Sequence, residues 1–169
     1  MFGWEFPPHI TGGLGTACYG LVKGLAKINT EVLFVVPKAY GDEDTRVVNI
    51  LNASDIEINQ ESIKKEDFWK KITFMEIGSN LIPYVSPEEF QRIVAKNILS
   101  RTDINKNIFR SKYKFSGKYG KDLLEEVSRY ALVAASIAAN NNFDIIHAHD
   151  WLTYPAGIAA KAVSGKPLV

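Results

Sequence analysis

The chain has 169 residues, a 46% apolar and 23% charged composition and a formal net charge of +1, the profile of one soluble globular domain with room for a sizeable core. A balance this near neutrality makes no electrostatic case for nucleic acid or an anionic membrane as partner. No apolar run approaches the roughly 20 residues of a membrane span, no basic-then-apolar leader is read at the start, and the single cysteine, Cys18, forms no internal disulfide, which fits a reducing, cytoplasmic setting.

In chain order, a short strand is predicted near Phe2 to Glu5. It leads into a loop that Pro7 and Pro8 stiffen by fixing φ. "TGGLG" (Thr11 to Gly15) opens a helix on which Leu14, Cys18, Leu21, Leu25 and Ile28 fall at steps of four, three, four and three, one apolar face. "EVLFVVP" (Glu31 to Pro37) is a continuous β-branched run stopped by proline, which predicts a strand covered on both sides. Strand, glycine turn, helix and buried strand make a βαβ unit, so the sheet is expected to be parallel.

Further on, "TRVVNIL" and "KITFMEIG" both read as strands around a polar stretch containing "KKEDFWKK". "SPEEFQRIVAKNIL" (Ser86 to Leu99) carries a helix start signal, with serine at the cap, proline next and glutamate three on. Residues 101–121 hold seven basic residues against one acid, Asp103, with Phe109, Tyr113, Phe115 and Tyr119 interleaved. A solvated insertion explains that stretch, and a glucan-binding or nucleic-acid surface is the alternative, although no nucleic-acid motif accompanies it. A long helix is predicted from about Asp122 to Ala139, buried along Leu124, Val127, Ala131, Ala134 and Ala138 with Tyr130 and Ile137 alongside. "FDIIHAH" is the next buried strand, "TYPAGIAAKAVS" a short helix and "KPLV" a further strand. The whole reads as a doubly wound, mostly parallel α/β domain. Both ends fall near strand boundaries, so a piece of a larger protein, incomplete at both ends, is expected.

In such sheets ligands bind beyond the carboxyl ends of the strands. "TGGLG" and "HDW" both follow strands, which argues for one shared site. Gly12, Gly13 and Gly15 precede a helix whose first amides lack intrahelical partners, so a phosphate or sugar hydroxyl can be held there. A tight turn that needs glycine only for its dihedrals is the plainer reading. The spacing is neither the dinucleotide GxGxxG nor a P-loop.

His147 and His149 lie two apart on a strand and share a face. For His147 a structural role is expected, buried and bonded to backbone. His149, beside Asp150 at the strand end, can donate to a sugar hydroxyl or a developing charge. Asp150 serves either this site or the cap of the next helix. A metal-dependent hydrolase built on His147, His149 and Asp150 is an alternative that needs further ligands. Glu125 and Arg129, four apart, predict an ion pair, and Asp122 with Glu125 fits a capping box.

Together "FGWEFPPHITGGLG", "LVKGLAK" and "FDIIHAHDWLTYPAG" resemble the N-terminal domain of GT-B retaining glycosyltransferases, of the glycogen and starch synthase, group 1 type. The resemblance implies a single Rossmann-like, acceptor-side domain over residues 1–169, with the C-terminal donor-binding domain absent. It implies transfer of glucose from ADP- or UDP-glucose to an α-glucan in glycogen biosynthesis. The implied partners are a saccharide acceptor and a sugar nucleotide shared with the other domain, with no nucleic acid, membrane, further cofactor or required metal. This chain alone is then expected to fold without turning over.

By the same resemblance Gly12, Gly13 and Gly15 would face the donor phosphates or the transferred sugar. His149 would lie near the reacting carbon with Asp150 and Trp151 beside it, and Glu5 would shape the first loop. Starch-synthase-type enzymes carry a lysine two residues before the glycines and an aspartate soon after, where Ile10 and Thr16 stand here. Their "YxDNxxRF" helix corresponds to "LLEEVSRY" (Leu123 to Tyr130), with Glu125 as the candidate counterpart of a functional aspartate. These departures lean towards the broader group 1 enzymes. A non-catalytic glucan-binding module is the remaining alternative.

Overall fold

The computed structural model describes residues 1–58 and 112–169. The strand expected at "KITFMEIG", the helix expected over Ser86 to Leu99 and most of the basic and aromatic stretch lie outside the described residues.

Helix α1 spans Gly13–Lys27 and leads to strand β1, Leu33–Val36. Strand β2, Asn49–Asn52, pairs parallel to β1 in the register Leu33 to Asn49 through Val36 to Asn52. A single 3-10 turn, Ala53–Asp55, follows. Helix α2 spans Leu123–Asn140 and helix α3 Tyr154–Ser164. Single-residue parallel bridges extend the ladder beyond the two named strands: Phe2 pairs with Val35 on one side and Ala148 on the other, and Ile146 pairs with Leu168. Gly3 N–H donates to Val35 O at 3.0 Å and His149 N–H to Phe2 O at 3.1 Å. The expected α/β class and parallel pairing are therefore observed, with α1 between the Phe2 segment and β1.

The β1 run is buried on both faces, as its unbroken apolar sequence requires. Phe34 and Val36 pack with Cys18 and Val22 of α1, Phe6 and Val48. Val35 faces the other way, with Phe2, Trp4 and the apolar residues of α2 and α3. Full burial of each such side chain contributes about 1.5–3 kcal/mol relative to exposure. Tyr130, fully buried, fixes α2 to the sheet. Its hydroxyl shares its proton between Val35 O at 2.8 Å and Gly3 O at 3.2 Å, and its ring meets Phe2, Trp4 and Phe115 edge-on.

Three local expectations are corrected. On α1 the buried residues are Gly15, Cys18 and Val22, while Leu21 is 38% exposed and Ile28, beyond the helix as its C-cap, is 70% exposed. Contact with Phe34 and Phe6 is narrow, and Leu21 sits about 60° round the helix from Cys18. The Asp122–Glu125 capping box does not form, because Asp122 caps α2 without a side-chain bond. The neighbouring Glu126 instead turns back to accept from the Ser116 and Gly117 amides. His147 is half-buried, and among the described residues its ring stacks on His149 rather than bonding to backbone. Its carbonyl is already taken by Phe2 N–H at 2.8 Å in the ladder. The Glu125–Arg129 ion pair forms as expected.

Candidate functional site

The first loop is built around a buried carboxylate. Glu5, 7% exposed, accepts from Thr11 N–H at 2.9 Å and the Thr11 hydroxyl at 2.7 Å through Oε2, and from Gly15 N–H at 3.3 Å through Oε1. Burying a carboxylate costs heavily unless donors surround it, and here three do. The segment from Thr11 to the first turn of α1 is thereby held to the end of the first strand. On its outer side His9 Nε2 meets Asp42 Oδ1 at 2.7 Å and the His9 ring stacks on Tyr40, centroids 3.9 Å apart.

Gly12 is the N-cap of α1, with extended backbone (φ −158°) and no side-chain cap. None of Gly12, Gly13 and Gly15 has positive φ, so left-handed dihedrals do not explain the glycines. A Cβ on Gly12 or Gly13 would meet nothing within 4 Å, whereas one on Gly15 would lie 2.2 Å from Ile10 Cγ2 and 3.3 Å from Glu5 Cγ. Gly15 thus serves internal packing, under Ile10. Gly12 and Gly13, exposed and unobstructed, leave helix-start amides open to another molecule.

At the adjoining strand end, His147 and His149 stack with centroids 4.2 Å apart and planes 20° from parallel. Burial, then the neighbouring His147, then the Met1 amino group lower the His149 pKa to about 4, so its ring is neutral at pH 7. Burial also lowers that of His147. Among the described residues two buried side-chain polar atoms lack a hydrogen-bond partner, Trp4 Nε1 and His149 Nε2. An unpaired buried polar atom costs about 1–3 kcal/mol, which a ligand group can offset.

Asp150 has φ +68°, strained backbone of the kind that clusters at functional turns. Its Oδ1 accepts from Trp151 N–H at 2.7 Å. The cap of α3 is Thr153, whose hydroxyl donates to His149 O at 2.6 Å, so Asp150 shapes the turn rather than capping the helix. Trp151 is 41% exposed.

Cys18 is buried beneath the first loop, packed with Phe6 and Phe34. Its thiol is pushed up to about 11 by burial, then by Glu5, with its own backbone hydrogen bond opposing and Asp150 adding to the rise. The Phe34 ring, which packs with Cys18 and Phe6, also lies 6.3 Å from the His149 ring, and this brings the two loops together. Glu125 is not brought to them: it is exposed on α2 with its carboxylate taken by Arg129. Among the described residues no group of three or more His, Cys, Asp or Glu is placed to hold a metal ion.

The class to which these features belong is the glycosyltransferases, and comparison identifies it. The sequence model described as "Starch synthase catalytic domain" matches residues 1–168, and the chain belongs to that family. The match includes Ile10 and Thr16, so their departure does not remove the chain from the starch synthase type. Comparison with the curated proteins and with the solved structures gave no match. A glycosyltransferase domain works between a sugar nucleotide and a saccharide acceptor. Among the described residues no helix is long and apolar enough to cross a membrane.

Sequence reasoning missed the His9–Asp42 contact and the clamp of Glu126 on the Ser116 and Gly117 amides. The first spans 33 residues of chain, and no local pattern signals it.

Proposed function

We propose that residues 1–169 form the acceptor-side half of a GT-B, doubly wound glycosyltransferase that transfers glucose from ADP- or UDP-glucose to an α-glucan with retention. The sugar nucleotide is shared with a C-terminal domain across the cleft. The observation that carries this reading is the convergence at one end of the sheet of an open helix start, held by Glu5, and His149, whose buried Nε2 has no protein partner.

In this reading the neutral His149 imidazole bonds a hydroxyl of the transferred sugar near the reacting carbon. Asp150 and Trp151 form the turn against that sugar. The free amides at Gly13 and Leu14 face the departing diphosphate, which gains charge as the glycosidic bond breaks, so their help is greatest at the transition state. Glu5 keeps those amides in place before substrate arrives.

The test is a titration with a malto-oligosaccharide followed by NMR, with His149→Ala alongside. Saturable shifts at Thr11 to Gly15 and His149, weakened in the variant, are expected. Absence of any shift at millimolar sugar overturns the α-glucan acceptor.

A further inference from the structure

Asp150 holds φ +68°, a left-handed backbone that residues carrying a side chain rarely adopt. Its carboxylate takes the very next amide, Trp151 N–H, a bond too local to close the turn. The closing bonds come from Thr153, which is fully buried at the far end of the turn. Thr153 N–H donates to Asp150 O at 3.0 Å. The Thr153 hydroxyl shares its proton between His149 O at 2.6 Å and Asp150 O at 3.2 Å. The carbonyls on either side of the left-handed residue are thus gathered on one side chain.

Thr153 is also the N-cap of α3, a place where a threonine hydroxyl ordinarily accepts from the second or third helical amide. No such bond forms here. Tyr154 and Pro155 open the helix, and a proline at the second position has no N–H to offer. The hydroxyl is left free to reach back across the turn. On the strand side, His149 N–H donates to Phe2 O at 3.1 Å. The His149 backbone is therefore fixed at its N–H by the sheet and at its C=O by Thr153. That fixes the direction in which its side chain leaves the chain, and Nε2 is held without a protein partner.

We infer that Thr153 is a positioning residue of this site: by donating to the His149 and Asp150 carbonyls, its hydroxyl sets the left-handed turn and aims His149 Nε2 at a saccharide hydroxyl. Being fully buried, it touches no ligand itself. The inference rests on the glycosyltransferase reading and deepens it. Valine in its place keeps the shape but leaves the His149 carbonyl without this donor, whereas serine keeps the donor and loses only a methyl group.

NMR titrations of wild type, Thr153→Val and Thr153→Ser with maltoheptaose and with ADP-glucose supply the test, with unfolding midpoints recorded for each. Affinity for whichever of the two wild type binds is expected to fall about tenfold in Thr153→Val and to stay within about twofold in Thr153→Ser. The His149 imidazole signals of the ligand-free protein should move in the valine variant and stay in place in the serine one. If folded Thr153→Val binds as wild type does, whatever its midpoint, the hydroxyl serves the fold alone and the inference is overturned while the site stands. A fall in affinity with the His149 signals unmoved overturns it too, since the effect then acts elsewhere. If wild type binds neither sugar, the site itself is overturned, and Thr153 with it. Should Thr153→Val fail to fold, Thr153→Ser decides alone: wild-type affinity supports the hydroxyl, and a clear loss assigns the effect to the methyl group and overturns the inference.

Discussion

On the α2 side of the sheet every residue from Tyr130 to Ala138 is buried, against small residues of α3 such as Ala156, Ala159 and Ala160. On the α1 side only Gly15, Cys18 and Val22 of the helix are buried, and its first turn is left open above Glu5. The α2 side is closed by apolar contact, which is strong and serves no ligand. The α1 side has a smaller apolar cluster around Phe34 and Val22, and at its open end a carboxylate and a few hydrogen bonds position amides without covering them. Stability and site are thus concentrated on opposite faces of one sheet, and substitutions should separate them.

The largest expected effect is on the α2 side. Tyr130→Ala should cost about 3–5 kcal/mol by removing a fully buried aromatic, and Tyr130→Phe about 1–2 kcal/mol by leaving the Val35 and Gly3 carbonyls short of a donor. Urea midpoints at unchanged slope measure both. A cost below about 1 kcal/mol for Tyr130→Ala would break the comparison.

Next comes Glu5→Gln, which places an amide donor among three donors. A loss of about 1–3 kcal/mol is expected, with sugar affinity lowered as well. Glu126→Gln should show a similar loss, because that carboxylate also accepts two amides. Equal stability losses with unequal effects on binding would show which of the two loops the ligand touches. Titration after chemical unfolding midpoints are known gives both quantities on the same samples.

The pH dependence is smaller and has a definite sign. His149 is lowered to about 4 by burial, then His147, then the Met1 amino group, while an unfolded histidine titrates near 6.5. Between those values the unfolded chain binds the proton and the folded chain does not. Stability is therefore full above about pH 6.5 and declines as pH falls towards 4. Both histidines are half-buried, so the slope is shallow, and His149→Ala should flatten it further. Midpoints measured at intervals from pH 7.5 to 4.5 check the sign.

What was legible in the sequence follows the range over which each pattern acts. The "EVLFVVP" run announces a strand buried on both faces because its side chains alternate between two apolar neighbours, and the structure puts Phe34 and Val36 in one cluster and Val35 in the other. The α2 stripe and the Glu125–Arg129 pair were legible for the same reason, being repeats of three and four residues. The rotation of α1 was not, since Leu21 and Val22 are equally apolar and only the sheet beneath decides which faces inward. Of the site, the glycines, His149 and Asp150 were marked by residue type at strand ends. The Glu126 clamp on the Ser116 and Gly117 amides was not legible, because a side-chain bond back across nine or ten residues leaves no periodic trace.

The smallest effect on stability divides the two faces most cleanly. Gly13 begins α1 with ordinary dihedrals and open space around a Cβ, so Gly13→Ala should stabilise the fold by about 0.4–1 kcal/mol by restricting the unfolded chain. The added methyl also occupies the approach to the helix-start amides, so affinity for a sugar nucleotide should fall in the same variant. Gly15→Ala should do the reverse, destabilising the fold because its Cβ would strike Ile10 and disturbing binding only through the displaced loop. A Gly13→Ala protein that is more stable and binds less well shows that this glycine is kept for a ligand at a cost to the fold. One that is more stable and binds unchanged reduces the loop to a turn between a strand and a helix, and removes the amides of α1 from the site.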